Sequence, residues 1–117
     1  KKIIGICLGF QQILYAEKGQ IIAQKKIFHG YQSRIKVLNG SSLFKPNKIL
    51  LGGRYHSLKL KEPFYNKNLK ITMRCAETNV AMAIEDTINN VYGFQFHPDS
   101  FLTVDGKFLI QKILQAK

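Results

Sequence analysis

A chain of 117 residues has the size of one ordinary globular domain, and a composition that is 45% hydrophobic and 21% charged excludes a disordered, collagenous or low-complexity protein. Eighteen Lys and Arg against seven Asp and Glu give a net charge of +11, which alone would suit binding to nucleic acid or an acidic membrane surface. However, residues 1–74 hold 15 cations and two anions, whereas residues 75–106 hold five anions and no cation. Most lysines stand singly between apolar residues, which favours a solvated lysine-rich surface over a nucleic-acid site, and no apolar run approaches the roughly 18 residues of a membrane span.

The secondary-structure pattern begins with a β-branched run at residues 2–6, followed by a tight turn and a helix with apolar residues at helical spacing. Gly19 is predicted to end that helix. Extended segments are predicted at residues 20–23, 31–37, 49–51, 55–60, 69–76, 80–84 and 91–96, and a second helix from residue 105. The segments at 69–76 and 80–84 form a predicted hairpin, and Gly52-Gly53 a predicted break between two extended pieces. We therefore predict an α/β fold, with a mixed β-sheet flanked by helices, in one domain over residues 1–117.

The two cysteines, Cys7 and Cys75, form no disulfide framework, which predicts a reducing compartment and a cytoplasmic protein. The first ten residues resemble a signal peptide, but the apolar run is eight residues long and has no cleavage site, so we reject that interpretation. The chain starts with Lys, and its first strand has no obvious earlier partner. We expect it to be the later part of something longer, or a processed or trimmed chain.

The segment Gly5-Ile6-Cys7-Leu8-Gly9 has the form G-x-C-x-G between a predicted strand and a predicted helix, the thiol counterpart of the nucleophile elbow. A sharp turn of this kind needs small residues beside the strained nucleophile. Backbone N–H groups and the helix N-terminus are expected to lower the pKa of the Cys7 thiol and to stabilise a developing oxyanion. Alternatively, Cys7 is a small buried apolar residue, and the glycines only make a tight turn.

A thiolate nucleophile needs a base, and His97 has the best surroundings of the three histidines. It follows a predicted strand and precedes Pro98, and the carboxylate of Asp99 lies two residues on. That carboxylate could hold the imidazole in one tautomer, as in a catalytic triad, provided that the strands ending at Cys7 and His97 are neighbours. His29 and His56 are interpreted as surface or hydrogen-bonded structural histidines, and the spacing of the Cys and His residues predicts no metal site.

Four separated motifs stand out in this sequence: GICLGFQQ at the start, HG at His29-Gly30, RYHSL at Arg54–Leu58, and GFQFHPDS at Gly93–Ser100 followed by FLT. Together they resemble the motifs of the triad (class I) glutamine amidotransferases. Within that family, the RYHSL segment is most similar to the glutaminase subunit of anthranilate synthase and to its relative in para-aminobenzoate synthase. The resemblance covers essentially the whole chain and implies a flavodoxin-like fold.

The resemblance implies a role for several residues. Cys7 would be the nucleophile, His97 the base and acid, and Asp99 the third member of the triad. Gln11 and the backbone at Ser57 and Leu58 would hold glutamine, and the N–H of Leu8 would be an oxyanion donor. It implies no cofactor. The partners would be glutamine and a chorismate-binding synthase subunit that receives ammonia, and neither nucleic acid nor a membrane is implied.

Three departures from the family pattern affect this expectation. Asp99 stands where the family usually has Glu, and Phe10 where it commonly has His. About the first third of the family domain, with the loop that gives a second oxyanion donor, has no counterpart, so the chain would be the C-terminal two-thirds of the domain. We therefore expect it to be inactive or poorly folded alone unless another chain supplies that segment. Two other functions stay open: a non-catalytic or degenerate fragment that keeps a partner-binding surface, and a basic nucleic-acid module.

Overall fold

The computed structural model describes residues 2–24, 30–56, 58–98, 103 and 106–115. The elements in chain order are β1 (Ile3–Ile6), α1 (Leu8–Ala16), β2 (Ile21–Ala23), β3 (Tyr31–Val37), β4 (Ile49–Arg54), β5 (Leu58–Leu60), β6 (Lys70–Cys75), β7 (Ala81–Asp86), β8 (Val91–Phe94) and α2 (Gly106–Gln115). Neither helix of these residues has the length and apolar character that crossing a membrane requires. Predicted His29, Ser57 and Asp99 lie outside the described residues.

Six strands form one sheet in the order β1-β8-β7-β6-β3-β4, and β2 pairs with β5 in a separate antiparallel pair. Within the described strands β1 and β8 run parallel, whereas the other neighbours in the large sheet run antiparallel. The predicted α/β fold with a mixed sheet is therefore confirmed, as is the hairpin of β6 and β7.

The two helices cover opposite faces of the sheet. Alternate residues of β8 face opposite sides: Phe94 packs in the cluster with Leu109 and Ile113 of α2, whereas Gly93 lies against Phe10 of α1. Phe10 belongs to a second buried cluster on the α1 side. The sheet is therefore buried on both faces, with the parallel β1–β8 pair beneath α1.

The predicted break at Gly52-Gly53 is wrong, because β4 continues through both glycines. A Cβ at Gly52 would lie 3.0 Å from the ring of Phe96 and would also overlap Ile35. Gly52 therefore permits close packing inside a strand rather than a turn. The continuation matters for the site, because Gly53 forms an isolated antiparallel bridge with His97.

The end of α1 also differs from the prediction. Lys18, not Gly19, adopts the left-handed conformation, with φ 67°. The N–H of Gly19 donates to the carbonyl of Leu14 at 2.8 Å, and a Cβ at Gly19 would stand 2.9 Å from that same oxygen. Position 19 therefore needs glycine because the chain passes close to the end of the helix, and not because of a positive φ.

Candidate active site

Cys7 occupies the turn between β1 and α1 and is the N-cap of the helix, with φ 55° and ψ −100°. A positive φ is strained for a residue with a Cβ. Gly5 is required on steric grounds, because a Cβ there would lie 2.7 Å from the backbone of Gly9 and 2.6 Å from the side chain of Ile13. A Cβ at Gly9 would meet open space. The predicted elbow geometry is thus present, but packing requires a small residue at Gly5 and not at Gly9.

The pairing of β1 with β8 fixes the position of the elbow relative to the sheet. Ile6 pairs with Phe94 in parallel register, and the N–H of Cys7 donates to the carbonyl of Phe94 at 2.7 Å. The chain beyond β8 continues through Gln95 to His97, so the sequences that follow the two strands leave the sheet at the same edge. The condition that the strands leading to Cys7 and His97 are neighbours is confirmed.

The Cys7 sulfur lies between a hydrogen-bond acceptor and a donor. Its thiol donates to the carbonyl of Tyr55 at 3.7 Å, and Nε2 of Gln95 donates to Sγ at 3.7 Å. Burial raises the pKa of the Cys7 thiol, and the hydrogen bonds from the Leu8 backbone and Gln95, which act in the opposite direction, do not outweigh it. The predicted lowering of this pKa is therefore wrong, because the elbow that presents the sulfur to N–H groups also removes it from water.

His97 is held by backbone and side-chain contacts from three directions. Its N–H donates to the carbonyl of Gly53 at 2.9 Å, and its carbonyl accepts a hydrogen bond from Oγ1 of Thr103 at 2.5 Å. Thr103 in turn accepts from the N–H of Gly53 at 2.8 Å. The ring of Tyr55 packs edge-on against the imidazole with 5.1 Å between centroids. The peptide of His97 is thereby fixed to β4.

Of the residues that the resemblance assigns to glutamine binding or to the oxyanion, the structure describes Gln11, Leu8 and Leu58. Gln11 is buried in α1, and its Nε2 donates to Oε1 of Gln95 at 3.2 Å. Leu8 begins α1 and Leu58 begins β5, and both side chains are exposed, at 64% and 38%. Gln11 and Leu8 thus sit on the same first turns of α1 as Cys7, whereas Leu58 comes from β5.

A buried polar cluster underlies the Tyr55 carbonyl that contacts Cys7. Arg54 is fully buried, and its Nε donates to Nε2 of His56 at 2.8 Å. Because arginine only donates, His56 carries its proton on Nδ1, which donates to the carbonyl of Leu58 at 2.8 Å. Burial lowers the pKa of His56 to about 4, and the charge of Arg54 acts in the same direction. His56 is therefore a neutral, hydrogen-bonded residue, in agreement with one of the two roles expected for it.

Arg54 also contacts the second cysteine. Its Nη1 donates to Sγ of Cys75 at 3.3 Å, and burial lowers the pKa of the Arg54 guanidinium. Burial tends to raise the pKa of the Cys75 thiol, but hydrogen bonds from Thr78 and Glu77 and the charge of Arg54 together lower it. Both cysteines are free thiols. Cys75 is 2% exposed, which makes it a part of the core, whereas Cys7 is partly exposed.

Sequence reasoning did not single out Gln95, Thr103 or Arg54 as individual site residues. Gln95 lies inside a strand-like run, where the pattern gives no sign that an amide would turn toward the elbow. Thr103 accepts a hydrogen bond from Gly53, which lies 50 residues earlier in the sequence. The sequence did offer one signal for Arg54. This residue directly follows an apolar strand and two glycines, so if the strand continues through the glycines, the charged side chain is buried and needs polar partners.

A strained cysteine at a strand-to-helix elbow, with an imidazole beyond the adjacent parallel strand, is the arrangement expected of the thiol-nucleophile class on an α/β sheet. The family follows from comparison with known sequences. The family model described as "Glutamine amidotransferase class-I" matches residues 1–116, and the chain belongs to that family.

Curated relatives are similar to this chain over most of its length. The chain is similar to anthranilate synthase component 2 of Lactococcus lactis subsp. lactis, with 35% identity over 116 residues that cover 97% of this chain and 58% of the relative. It is 42% identical over 103 residues to anthranilate synthase component 2 of Methanocaldococcus jannaschii, covering 86% of this chain and 50% of the relative. The chain thus spans 50% to 58% of the length of these relatives.

A crystal structure of a glutamine amidotransferase from Thermotoga maritima superposes with a TM-score of 0.67. The sequences are 16% identical, and the alignment covers 97% of this chain and 45% of that chain. At this identity the likeness supports the fold.

Proposed function

We propose that this chain is the nucleophile-bearing part of a glutaminase that hydrolyses glutamine through a thioester at Cys7 and passes ammonia to a synthase that aminates chorismate. The observation that carries the proposal is the strained turn at Cys7, with φ 55°, beside the parallel strand that leads to His97. Membership of the class I amidotransferase family supports the reaction type. The names of the relatives support anthranilate as the product, and para-aminobenzoate synthesis is the alternative within the same chemistry.

In the first half of the reaction, His97 takes the proton of the Cys7 thiol as the sulfur attacks the side-chain amide carbon of glutamine. The C–N bond breaks when the tetrahedral intermediate collapses, and His97 gives its proton to the departing nitrogen, so that ammonia leaves and a thioester remains. The N–H of Leu8, which follows Cys7 at the start of α1, would donate to the oxyanion. One such donor is typically worth about 3 kcal/mol of transition-state stabilisation.

In the second half, a water molecule attacks the thioester while His97 accepts its proton. The C–S bond breaks, glutamate leaves, and the proton returns to the sulfur, which restores the neutral thiol. Asp99 would orient His97, and Gln11 with the backbone at Ser57 and Leu58 would hold the substrate. The neutral resting thiol that burial favours at Cys7 fits a mechanism in which the base acts during attack.

The synthase partner is proposed from the same family relationship. The charge distribution, with 15 cations in residues 1–74, favours an acidic surface on that partner, and association should then weaken as salt rises. Two free cysteines are consistent with a cytoplasmic location. The other candidate function is a non-catalytic fragment that keeps the partner surface, and the departure at Asp99 is the observation that favours it.

Labelling with a chloroketone analogue of glutamine tests the proposal directly. The purified 117-residue chain is treated with the analogue, its intact mass is measured, and it is digested to map the modified cysteine. When the chorismate-binding subunit or the family segment that precedes the elbow in relatives is added, labelling at Cys7, prevented by free glutamine and absent from Cys7→Ser, is the expected result. Cys75→Ser is the matched control and should label like the parent chain.

Two outcomes contradict the proposal. Equal labelling of Cys7 and buried Cys75 would show that the chain does not hold the fold that distinguishes the two thiols, and labelling of Cys7 that glutamine does not slow would show that no glutamine pocket is formed. The same measurement on the chain alone shows whether the site needs another chain.

A further inference from the structure

Gln95 joins the nucleophile to the helix that carries the proposed substrate contact. Its side chain is fully buried, with Nε2 3.7 Å from Sγ of Cys7 and Oε1 3.2 Å from Nε2 of Gln11. The backbone is fixed as well, because the N–H of Gln95 donates to the carbonyl of Met82 at 2.8 Å. A buried amide held at both its backbone and its oxygen has little freedom to leave the sulfur.

The position of Gln95 in the sheet explains why it reaches the elbow. Its neighbours Phe94 and Phe96 pack into the cluster on the α2 side, so the alternation of the extended chain turns Gln95 toward α1. Parallel pairing of Ile6 with Phe94 places the next residues, Cys7 and Gln95, side by side. The contact is thus a consequence of strand register.

We propose that Gln95 is a catalytic residue that donates a hydrogen bond from Nε2 to the Cys7 sulfur, stabilises the thiolate during attack, and is held in that orientation by Gln11. The inference deepens the proposed glutaminase function and rests on it. Amide donors to an anion are stronger than the same donors to a neutral group. The contact therefore favours the thiolate over the thiol.

The other groups around the sulfur act differently. The Tyr55 carbonyl accepts from the thiol and favours the neutral form, while the backbone of Leu8 donates. Of the titratable groups in the neighbouring segments, Tyr55 beyond β4 and His97 beyond β8 pack edge-on against each other, and α1 has no acidic residue in its first turn. The side chain of Gln95 donates to Sγ.

The test is the pH dependence of Cys7 alkylation by iodoacetamide, followed by intact mass and peptide mapping. Gln95→Leu removes the amide at similar size, and alkylation near pH 7 should slow about tenfold, because the midpoint of the rate profile rises by about one pH unit. Gln95→Glu keeps an oxygen for Gln11 but replaces the donor by a carboxylate, and the midpoint should rise further. The limiting rate at high pH should stay within about twofold of the parent chain, because the access of the reagent is unchanged.

Gln12→Glu is the matched control, because Gln12 is exposed on the same helix and the substitution adds the same charge. Its midpoint should equal that of the parent chain. Protection of buried Cys75 from the reagent reports that each variant is folded. Gln95→Met serves as a second donor-free variant if Gln95→Leu loses this protection, and the same upward shift is expected.

An unchanged midpoint in the donor-free variants would overturn the inference. A lowered midpoint would also overturn it, because it would mean that Oε1 of Gln95 faces the sulfur and accepts from the thiol. Protection of Cys7 by free glutamine, measured on the same samples, separates the two proposals. Protection without a midpoint shift refutes the role of Gln95 alone, whereas a shift without protection refutes the glutaminase function and leaves the contact standing.

Discussion

The buried, neutral His56, which follows Tyr55 in the chain, predicts a loss of stability in mild acid. Its pKa is about 4 in the folded chain against an ordinary value of 6.5 in an unfolded one, so the folded state resists a proton that the unfolded state accepts. The stabilisation is complete above pH 6.5 and is lost as the pH falls from 6.5 to 4. The full difference corresponds to about 3 kcal/mol, of which about 2 kcal/mol is lost between about pH 7.5 and pH 5.

Urea unfolding of the parent chain and of His56→Gln at about pH 7.5, 6 and 5 measures this effect. A glutamine oxygen can still accept from Arg54 but does not titrate, so the free energy of unfolding should fall by about 2 kcal/mol less in the variant across this range. The same substitution at His97 and at His29 accounts for the other two imidazoles of the sequence. Equal pH dependence of the parent chain and His56→Gln would refute the assignment of a buried, neutral imidazole.

Two further substitutions probe the geometry around the proposed nucleophile, Cys7, and the proposed base, His97. Gly5→Ala places a Cβ 2.7 Å from the backbone of α1 and should lower the free energy of unfolding by about 2 kcal/mol in a urea titration, whereas Gly40→Ala, with open space around its Cβ, should change it little. Thr103→Val keeps the shape but removes the hydroxyl that joins Gly53 to His97, and should cost about 2 kcal/mol and slow labelling of Cys7 by the glutamine analogue. If the free energy of unfolding of a variant lies within about 0.5 kcal/mol of that of the parent chain, which is about half the usual contribution of one hydrogen bond, the argument for that variant is contradicted.

The elements of the fold were largely predictable because their signals are local. Alternation identified β3 with the observed bounds, Tyr31–Val37, and the β-branched run identified β1. The elbow was readable for the same reason, since a nucleophile between two glycines at a strand end is a short-range pattern. The prediction of a break at Gly52-Gly53 was wrong because glycine occurs both in turns and where the backbone packs closely against other residues. Which of the two applies here depends on Ile35 and Phe96, which come from distant segments.

The surroundings of the site were less predictable because they depend on register and burial. The pKa of Cys7 is one example. The donors at the elbow follow from the motif, but the burial that outweighs them depends on how the chain beyond β4 and β8 covers the sulfur. Gln95 is another, since its contact with Cys7 requires that β1 pair with β8 in one parallel register. A slip by one residue would turn the amide to the other face.

The contacts of Cys7 suit both protonation states that the proposed mechanism needs. In the resting state the thiol donates to the Tyr55 carbonyl, and burial keeps the proton on the sulfur. When the proton moves to a base, that contact loses its attraction, whereas the donors from Leu8 and Gln95 gain strength because they now face a charge. A sulfur with a raised resting pKa is therefore compatible with an efficient nucleophile, because the stabilisation of the thiolate is realised as the proton leaves and not before.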